Sequence, residues 1–441
     1  MVKSIEQCVM RCLGLAVFHV LNLVREPVAR LPVMTTSPAL VHPLGRGWIS
    51  AGDTGAPNYD EFASDAEVTA AIAQRPTSVL GVEMPHRAPE AVRASHSFTQ
   101  ALPSAAQKLR QLCSSGAFQA VTDVVAPYRI ITPQGPALGV FCMVDTDQIS
   151  SAVDEPGLVI RNEDVFIDKV AERVALTQQL GTLASAVLLL HHARDAALHG
   201  FLTELTDRLG EPATSDIDEH GYIHQLWLLG PGVDRERLLR LSERGELIVA
   251  DGNHRSLAAQ LCKLPRFLAV VTTPQSVRIR AYHRLVRDLS SASFDDVLDQ
   301  LRAGGAQLRV TATPTDTTAP VQPGEVLLYV QGRTVAVSFP AATQSRDLVE
   351  SMDHTQIERE LFHRVLGIDA GDKRITYVGG DYPISWLINE VDAGREALAV
   401  LLAPVRVSDF IDVNVARGQM PRKSTWFTPK ARAGLLLADV R

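Results

Sequence analysis

The stretch LIVADGNHRSLAAQ, residues 247–260, constrains the fold of this chain more than any other. Its first four residues are apolar and predict a short buried strand, which Asp251 and Gly252 interrupt. From Asn253 onward, Leu257 and Leu261 share one face of a predicted helix. Because a strand that turns directly into a helix points free backbone N–H groups and the positive end of the helix dipole at one place, the stretch predicts an anion site.

The turn also carries side chains that suit a phosphorylated ligand. Arg255 can bind two phosphate oxygens with its guanidinium, His254 can donate a hydrogen bond, and Asp251 can hold a metal ion or cap the helix. An ordinary capped helix with surface charges accounts for the same residues. The rest of the chain therefore has to decide between a ligand site and a structural turn.

Composition narrows the class of protein. A length of 441 residues allows two or three domains with cores of their own. The net charge of −7 disfavours nucleic acid as a partner. Five cysteines without a CxxC pair fit reduced thiols better than disulfides or a zinc site. The apolar segment 12–24 is too short to span a membrane comfortably, so we expect a cytoplasmic protein.

The composition and the local breaks in the apolar patterns along the chain predict a mixed α/β fold with several domains. Residues 1–33 form an N-terminal extension, and Met34 is a second candidate for the native start. An N-terminal α/β domain is expected over 34–154, a central domain over 155–290, and a C-terminal α/β domain over 291–441. That the basic, hydroxyl-rich tail of this last domain returns to the site is implied only by the family resemblance described below.

Several widespread motifs are absent from the sequence. It contains no GxxxxGK[ST] loop, no GxGxxG after a strand, no HExxH and no GxSxG. Their absence removes the commonest nucleoside-triphosphatase, dehydrogenase, metalloprotease and esterase interpretations. A phosphate-binding turn without a P-loop lysine is what remains to be explained.

The stretch IVADGNHR resembles the Asp-Gly-His-His-Arg signature of the family named domain of unknown function 1015. Further segments resemble that family in the same order along the chain, from about Met34 to Leu437. They are IRNE with Lys169 and Arg173 after it, GYIHQLW at 221–227, YHRLV at 282–286, and MPRKSTWFTPK at 420–430.

The resemblance implies a central domain similar to the ParB/sulfiredoxin superfamily, which includes free-serine kinases. It implies that Asp251, His254 and Arg255 hold phosphates and a Mg²⁺ ion at Asp251, and that Glu163 is the base toward a substrate hydroxyl. The residues expected to bind ATP or ADP are Gly252, Asn253, His254, Arg255, Arg284, Lys423 and Ser424. Those expected to be catalytic are Glu163, Asp251 and His254.

Two residues depart from the family pattern. Asn253 stands where the family usually has its first histidine, and Asn162 stands where it usually has a histidine before the glutamate. An amide keeps its hydrogen bonds but cannot titrate or readily bind a metal.

The leading hypothesis is a kinase that phosphorylates the hydroxyl of serine or a serine-like metabolite, with a homodimer left open. The alternative is a nucleotide-binding regulatory or scaffold protein without turnover. ParB-like DNA binding is disfavoured because no helix-turn-helix or basic patch is evident. Sulfiredoxin-type reduction is disfavoured because Asn253 replaces the cysteine that such chemistry needs.

Overall fold

A computed structural model describes residues 39–150, 155, 157–192, 196–290, 292–316, 321–340, 348–369 and 371–441. The expected extension over 1–33 lies outside the described residues. The fold is mixed α/β, as the sequence predicted. In the described part of the chain, no helix has the length and apolar character needed to cross a membrane.

The strands of the described residues form four sheets. In chain order they are β1 (Val41–His42), β2 (Leu44–Ser50), β3 (Phe118–Val124), β4 (Ala126–Thr132), β5 (Gly135–Asp145), β6 (Ile149–Ser150), β7 (Val159–Ile160), β8 (Thr182–Leu183), β9 (Val187–His191), β10 (Thr214–Ile217), β11 (Ile223–Leu226), β12 (Leu247–Asp251), β13 (Arg266–Thr272), β14 (Arg278–Arg280), β15 (Tyr282–Val286), β16 (Gln307–Thr311), β17 (Val326–Val330), β18 (Arg333–Ser338), β19 (Ile375–Gly379), β20 (Leu398–Leu401), β21 (Trp426–Thr428) and β22 (Leu436–Asp439).

The helices pack against these sheets. In chain order they are α1 (Asp65–Gln74), α2 (Leu80–Glu83), α3 (Pro89–Arg93), α4 (Phe98–Ser114), α5 (Ile167–Leu180), α6 (Ala197–Arg208), α7 (Val233–Ser242), α8 (Asn253–Leu261), α9 (Phe294–Ala303), α10 (Asp353–Gln356), α11 (Ile384–Asp392) and α12 (Val407–Val415). The chain continues from α10 as a π-helical segment, Ile357–Val365.

The largest sheet has ten strands in the order β10-β11-β4-β5-β13-β9-β12-β7-β6, with β1 paired to β5. Strands from both sides of the expected 154/155 boundary share it, because β13 pairs antiparallel with β5 along seven residues of each. The structure therefore joins strands from both sides of that expected boundary in one continuous sheet.

Both faces of this sheet are covered. Along β9, Val187 and Leu189 face one buried cluster with residues of α6 and α7, while Leu188 and Leu190 face another that contains Phe427 of the tail. Alternate side chains of a strand point to opposite faces, so a strand covered on both sides is apolar throughout. This explains the unbroken apolar runs at 187–190 and 247–250.

The C-terminal residues join three parts of the fold. A six-stranded sheet, β16-β18-β17-β20-β15-β19, contains β15, which the sequence assigned to the central domain. The tail then leaves this unit, because β21 pairs with β14 and β22 is inserted between β2 and β8. Between β21 and β22, Lys430 of the tail lies beside Asp251 at the end of β12.

Candidate active site

The strand, turn and helix predicted at 247–260 are confirmed as β12, Gly252 and α8. The pairing of β12 with β9 shifts register between Val249 and Asp251, a β-bulge that re-aims the end of the strand. Gly252 has φ 101°, a left-handed conformation that glycine adopts without steric cost. A Cβ there would lie 3.0 Å from Nε of Arg255. The turn therefore depends on glycine.

Arg255 is fixed by hydrogen bonds at both ends of its guanidinium. Nη2 donates to Oδ2 of Asp251 at 2.8 Å, and Nη1 donates to the carbonyl oxygen of Ala186. Burial disfavours the charged form, yet the carboxylates of Asp251 and Asp60 outweigh it and raise the pKa of Arg255. Arg255 is thus a permanent cation in a fixed orientation.

His254 is neutral in this site. Its Nε2 accepts a hydrogen bond from the backbone N–H of Phe166 at 3.0 Å, and its ring stacks on the Phe166 ring at 6.0 Å. Burial, aided by the Lys423 ammonium, lowers the pKa of His254 from 6.5 to about 3. Because Nε2 is an acceptor, the proton of the neutral ring lies on Nδ1. His254 can donate one hydrogen bond to a ligand, but it carries no charge at neutral pH.

Glu163 is held by the C-terminal tail. Its backbone forms a parallel β-bridge with Met420, and its Oε2 accepts the backbone N–H of Lys423 at 2.8 Å. Burial raises the pKa of Glu163 above its usual value; Lys423 opposes this rise, and the carboxylates of Asp251 and Asp60 add to it. A raised carboxyl pKa suits a general base, which works best when its pKa approaches the working pH.

Asn162 and Asn253, the two departures from the family pattern, contact each other. Nδ2 of Asn253 donates to Oδ1 of Asn162 at 2.7 Å, and Oδ1 of Asn253 accepts the backbone N–H of Asn162 at 3.3 Å. Both side chains are buried, at 1% and 5% exposure. The amide pair joins the segment that carries Glu163 to the turn that carries His254.

Two lysines of the tail meet two carboxylates. Nζ of Lys430 lies 3.2 Å from Oδ1 of Asp60 and 3.6 Å from Oδ1 of Asp251. Nζ of Lys423 lies 3.6 Å from Oδ2 of Asp60. Burial tends to raise the pKa of Asp60, but both lysines overcome it and hold that pKa well below its usual range. The carboxylate of Asp60 therefore stays ionised between the two lysines at neutral pH.

These groups surround a cavity of about 570 Å³. The residues that line it are Tyr59, Asp60, Glu163, Arg173, Ala250, Asp251, Gly252, Asn253, His254, Arg255, Tyr282, Lys423, Thr425, Trp426, Phe427 and Lys430. Four cationic side chains and three carboxylates are among them. The cavity combines anion-binding groups with a half-buried carboxylate, that of Glu163.

Most of the residues expected from the sequence lie together in this cavity, but Arg284 and Ser424 do not. Arg284 is fully buried behind the wall, and its guanidinium donates to the carbonyl oxygens of Tyr282 at 2.8 Å and Arg422 at 3.3 Å. Ser424 is also fully buried. The structure thus gives Arg284 a place behind the lining residues, where it supports them, rather than a contact with a ligand.

Other lining residues were not expected to be part of a site. They are Tyr59, Asp60, Arg173, Tyr282, Trp426 and Lys430. Arg173, Tyr282, Trp426 and Lys430 lie within segments that carry the family resemblance, which was a usable signal. Tyr59 and Asp60 stand in no motif, and only the tertiary structure reveals them.

The side chains around Asp251 determine whether the expected Mg²⁺ ion fits there. Among the described residues no cluster of three or more histidine, cysteine or acidic side chains could hold a metal by itself. Mg²⁺ usually takes only one or two protein carboxylates and completes its shell with phosphates and water. Asp251 and Asp60 supply two carboxylates, but their oxygens face Arg255, Lys423 and Lys430, so an ion would bind there only in place of some of these contacts.

Comparisons with known proteins agree with the resemblance. A sequence model of the family described as "Protein of unknown function (DUF1015)" matches residues 48–355. The C-terminal segment 420–430, which also resembles that family, lies outside the matched residues. No curated protein matches the chain.

Solved structures that resemble the chain do so distantly. A free serine kinase in complex with AMP has 13% identity and a TM-score of 0.35, with 65% of this chain and 87% of that one covered. SbnI from Staphylococcus aureus, truncated at its C-terminus, has 12% identity and a TM-score of 0.36, with 67% and 85% covered. A conserved hypothetical protein from Pyrococcus furiosus has 12% identity and a TM-score of 0.34, with 65% and 90% covered.

Proposed function

The chain belongs to the DUF1015 family, and from this premise we propose that it is a small-molecule kinase. It transfers a phosphoryl group from ATP or ADP to the hydroxyl of serine or a serine-like metabolite. One observation carries the proposal: the carboxylate of Glu163 lies in the same cavity as the Asp251–Arg255 turn and the two tail lysines. Phosphoryl transfer needs this combination of a base and fixed positive charge.

Different residues of the cavity have different roles in this reaction. The oxygen of the substrate hydroxyl forms a bond to the terminal phosphorus while the bond from phosphorus to the bridging oxygen breaks, and the shortened nucleotide leaves. Glu163 accepts the hydroxyl proton. Arg255, the Nδ1–H of neutral His254 and the N-terminal amides of α8 bind the phosphate oxygens.

The tail supplies the remaining charges. Lys423 and Lys430 neutralise the negative charge of the transferring group, and Asp251 and Asp60 would hold Mg²⁺ that arrives with the nucleotide. Bound there, the ion would supply further charge neutralisation.

The experiment uses the full chain with Mg²⁺, ATP or ADP, and a panel of hydroxy-amino acids, and detects product by mass spectrometry. We expect a phosphorylated product, and we expect Glu163→Gln to reduce kcat by about 10²–10⁴-fold, the usual contribution of a general base. The affinity for nucleotide should change little. Asp164→Asn, an exposed neighbour, is the matched control. Product absent across the panel, or unaltered turnover in Glu163→Gln, would refute the proposal.

A nucleotide-binding regulator without turnover is the second candidate. The amide pair of Asn162 and Asn253 favours it, because neither side chain can titrate. Calorimetric binding of ATP that depends on Arg255, in protein that yields no product with any acceptor, would select this function instead.

A further inference from the structure

A single peptide group of the tail lies between Glu163 and Arg284. The N–H of Lys423 donates to Oε2 of Glu163 at 2.8 Å, and the carbonyl oxygen of Arg422 accepts a hydrogen bond from Nη2 of Arg284 at 3.3 Å. Because these bonds use the two ends of one planar peptide group, the guanidinium restrains the direction in which the N–H points. A hydrogen bond accepted at the carbonyl also polarises the group and strengthens its N–H as a donor.

The carboxylate of Glu163 depends on this peptide group. In the part of the chain that the structure describes, the N–H of Lys423 is the one hydrogen-bond donor to that carboxylate. A general base has to lie within hydrogen-bond reach of the proton that it accepts. Whatever holds the peptide between residues 422 and 423 therefore also holds the proposed base.

The turn at Lys423 needs such support. Lys423 has φ 52°, a left-handed conformation that is strained for a residue with a side chain. Strained backbone of this kind persists only where the surrounding structure holds it. One restraint is the bond from its N–H to Glu163, and the other, at the opposite end of the same peptide group, is the bond from Arg284.

Arg284 is itself fixed from several sides. Nη1 donates to the carbonyl oxygens of Tyr282 at 2.8 Å and His283 at 3.3 Å, and the guanidinium lies 4.5 Å from the ring centre of Tyr377. These partners are neutral groups of β15 and β19. They set the orientation of the guanidinium but do not neutralise its charge.

The charge of Arg284 has only a distant counterion. Nε lies 3.9 Å from Oε1 of Glu358 in the π-helical segment, and neither atom has a hydrogen-bond partner among the described residues. Burial lowers the pKa of Arg284, and the carboxylates of Glu358 and Glu163 are among the groups that oppose this effect. A guanidinium stays protonated in a protein. Because a buried charge is costly unless it is closely paired, packing alone does not account for an arginine at this position.

We propose that Arg284 is a positioning residue, which holds the carboxylate of Glu163 in place through the peptide group between Arg422 and Lys423. The inference rests on the proposed use of Glu163 as the base. Arg284 does not line the cavity, so it acts on the reaction only through these groups. This role replaces the nucleotide contact that the family resemblance implies for Arg284.

The kinetic test uses the full chain with Mg²⁺, ATP and serine, and compares Arg284→Met and Arg284→Lys with the wild type. We expect Arg284→Met to lower kcat by about 10²-fold, the scale on which a small displacement of a reacting group matters. The KM values for ATP and serine should stay within about twofold, since Arg284 contacts neither ligand. Arg284→Lys keeps the charge but loses the planar fork, so it should recover part of kcat. A higher KM with unaltered kcat in Arg284→Met would overturn the inference.

A titration tests the same link without turnover. Glutamate labelled in its side-chain carboxyl carbon is followed by NMR as the pH changes, and the signal of Glu163 is the one missing from Glu163→Gln. Loss of the cation and of the polarised N–H destabilises the ionised carboxylate, so the pKa of Glu163 should rise further in Arg284→Met and less in Arg284→Lys. The other charges that act on Glu163, those of Lys423, Asp251 and Asp60, are unaltered in both variants. The same titration midpoint in wild type and Arg284→Met would overturn the inference.

The controls separate this role from support of the fold. Arg287→Met makes the same change at an exposed position just after β15, and it should leave kcat and the titration of Glu163 as in the wild type. Thermal unfolding of each variant is recorded first, because Arg284 is fully buried. If Arg284→Met does not fold, Arg284→Lys carries the test, and wild-type values of both kcat and the Glu163 midpoint in that variant would overturn the inference.

Failure of the inference can be told apart from failure of the proposed function. A moved titration in a protein that phosphorylates no acceptor would keep the link between Arg284 and Glu163 and remove the kinase. Turnover that depends on Glu163 but is unaffected by Arg284→Met would keep the kinase and remove the link.

Discussion

Asn162 and Asn253 are the residues in which the site departs most from its family, and their contact makes them one feature. An amide that donates to a neighbouring amide oxygen needs that partner, because a buried group left without one keeps its full desolvation penalty. The sequence showed two separate exceptions to a pattern. The structure joins them by a hydrogen bond into one buried pair.

We expect Asn253→Ala to lower the free energy of unfolding by about 1–3 kcal/mol, because it strands the buried Asn162 amide. The double variant Asn162→Ala with Asn253→Ala should cost less than the sum of the single changes, with a coupling of about 0.5–3 kcal/mol. Urea unfolding of the four proteins measures this, and exposed Asn389→Ala is the control. Strictly additive losses would show that the amides act independently.

His254 gives the fold a defined pH dependence. Its folded-state pKa, about 3, lies below the ordinary value of 6.5. Between these values the unfolded chain binds a proton that the folded chain excludes, so stability is full above pH 6.5 and falls as the pH drops toward 3. At pH 5 this loss amounts to about 2 kcal/mol relative to pH 7.

His254→Gln removes that proton while its amide oxygen can still accept the N–H of Phe166. Between pH 7 and pH 5, we expect the free energy of unfolding to fall by about 2 kcal/mol less in the variant than in the wild type. Urea unfolding at the two pH values measures this difference. The same change at exposed His96 is the matched control. An identical pH dependence in wild type and His254→Gln would contradict the assigned burial of the ring.

At the scale of elements, β12 and α8 were predictable because the apolar run, the Asp-Gly break and the helical spacing are all local. The β-bulge at Val249–Asp251 was not, since it depends on register with β9, a strand about 60 residues earlier. The resemblance led us to expect that the tail contributes to the site. The partner strands of β21 and β22 are non-local and left no local signal.

The turn between β12 and α8 yields a test of this element. Gly252→Ala places a Cβ in left-handed backbone, and we expect a loss of about 1–2 kcal/mol in the free energy of unfolding. The added carbon also lies 3.0 Å from Arg255, so ATP affinity should fall as the guanidinium moves. Thermal unfolding and calorimetry measure the two effects. Gly230→Ala, which meets no atom within 4 Å, is the control, and equal behaviour of the two variants would argue against a strained turn.

At the scale of the whole molecule, the expected boundary at 154/155 follows a local Asp-Glu-Pro-Gly break, whereas sheet membership is decided by distant pairing. The same reason hid Asp60: a single acidic residue has no pattern, and it becomes part of the site only because tail lysines more than 360 residues away fold back onto it. Motif residues were recognisable from the sequence, and their partners from elsewhere in the chain were not.

Because four distant segments supply most of the residues that line the cavity, a ligand in it should stabilise all four together. We expect ATP to slow hydrogen exchange in all four segments together: residues 57–63, 160–166, 250–256 and 420–430. The free energy of the opening that permits exchange should rise by up to about 2.7 kcal/mol when the nucleotide is at 100 times its Kd. The exposed strand β16 should change little, and Arg255→Met should abolish the effect in every segment. Protection confined to 250–256 would mean that the turn binds phosphate alone, without the glutamate and the tail that phosphoryl transfer requires.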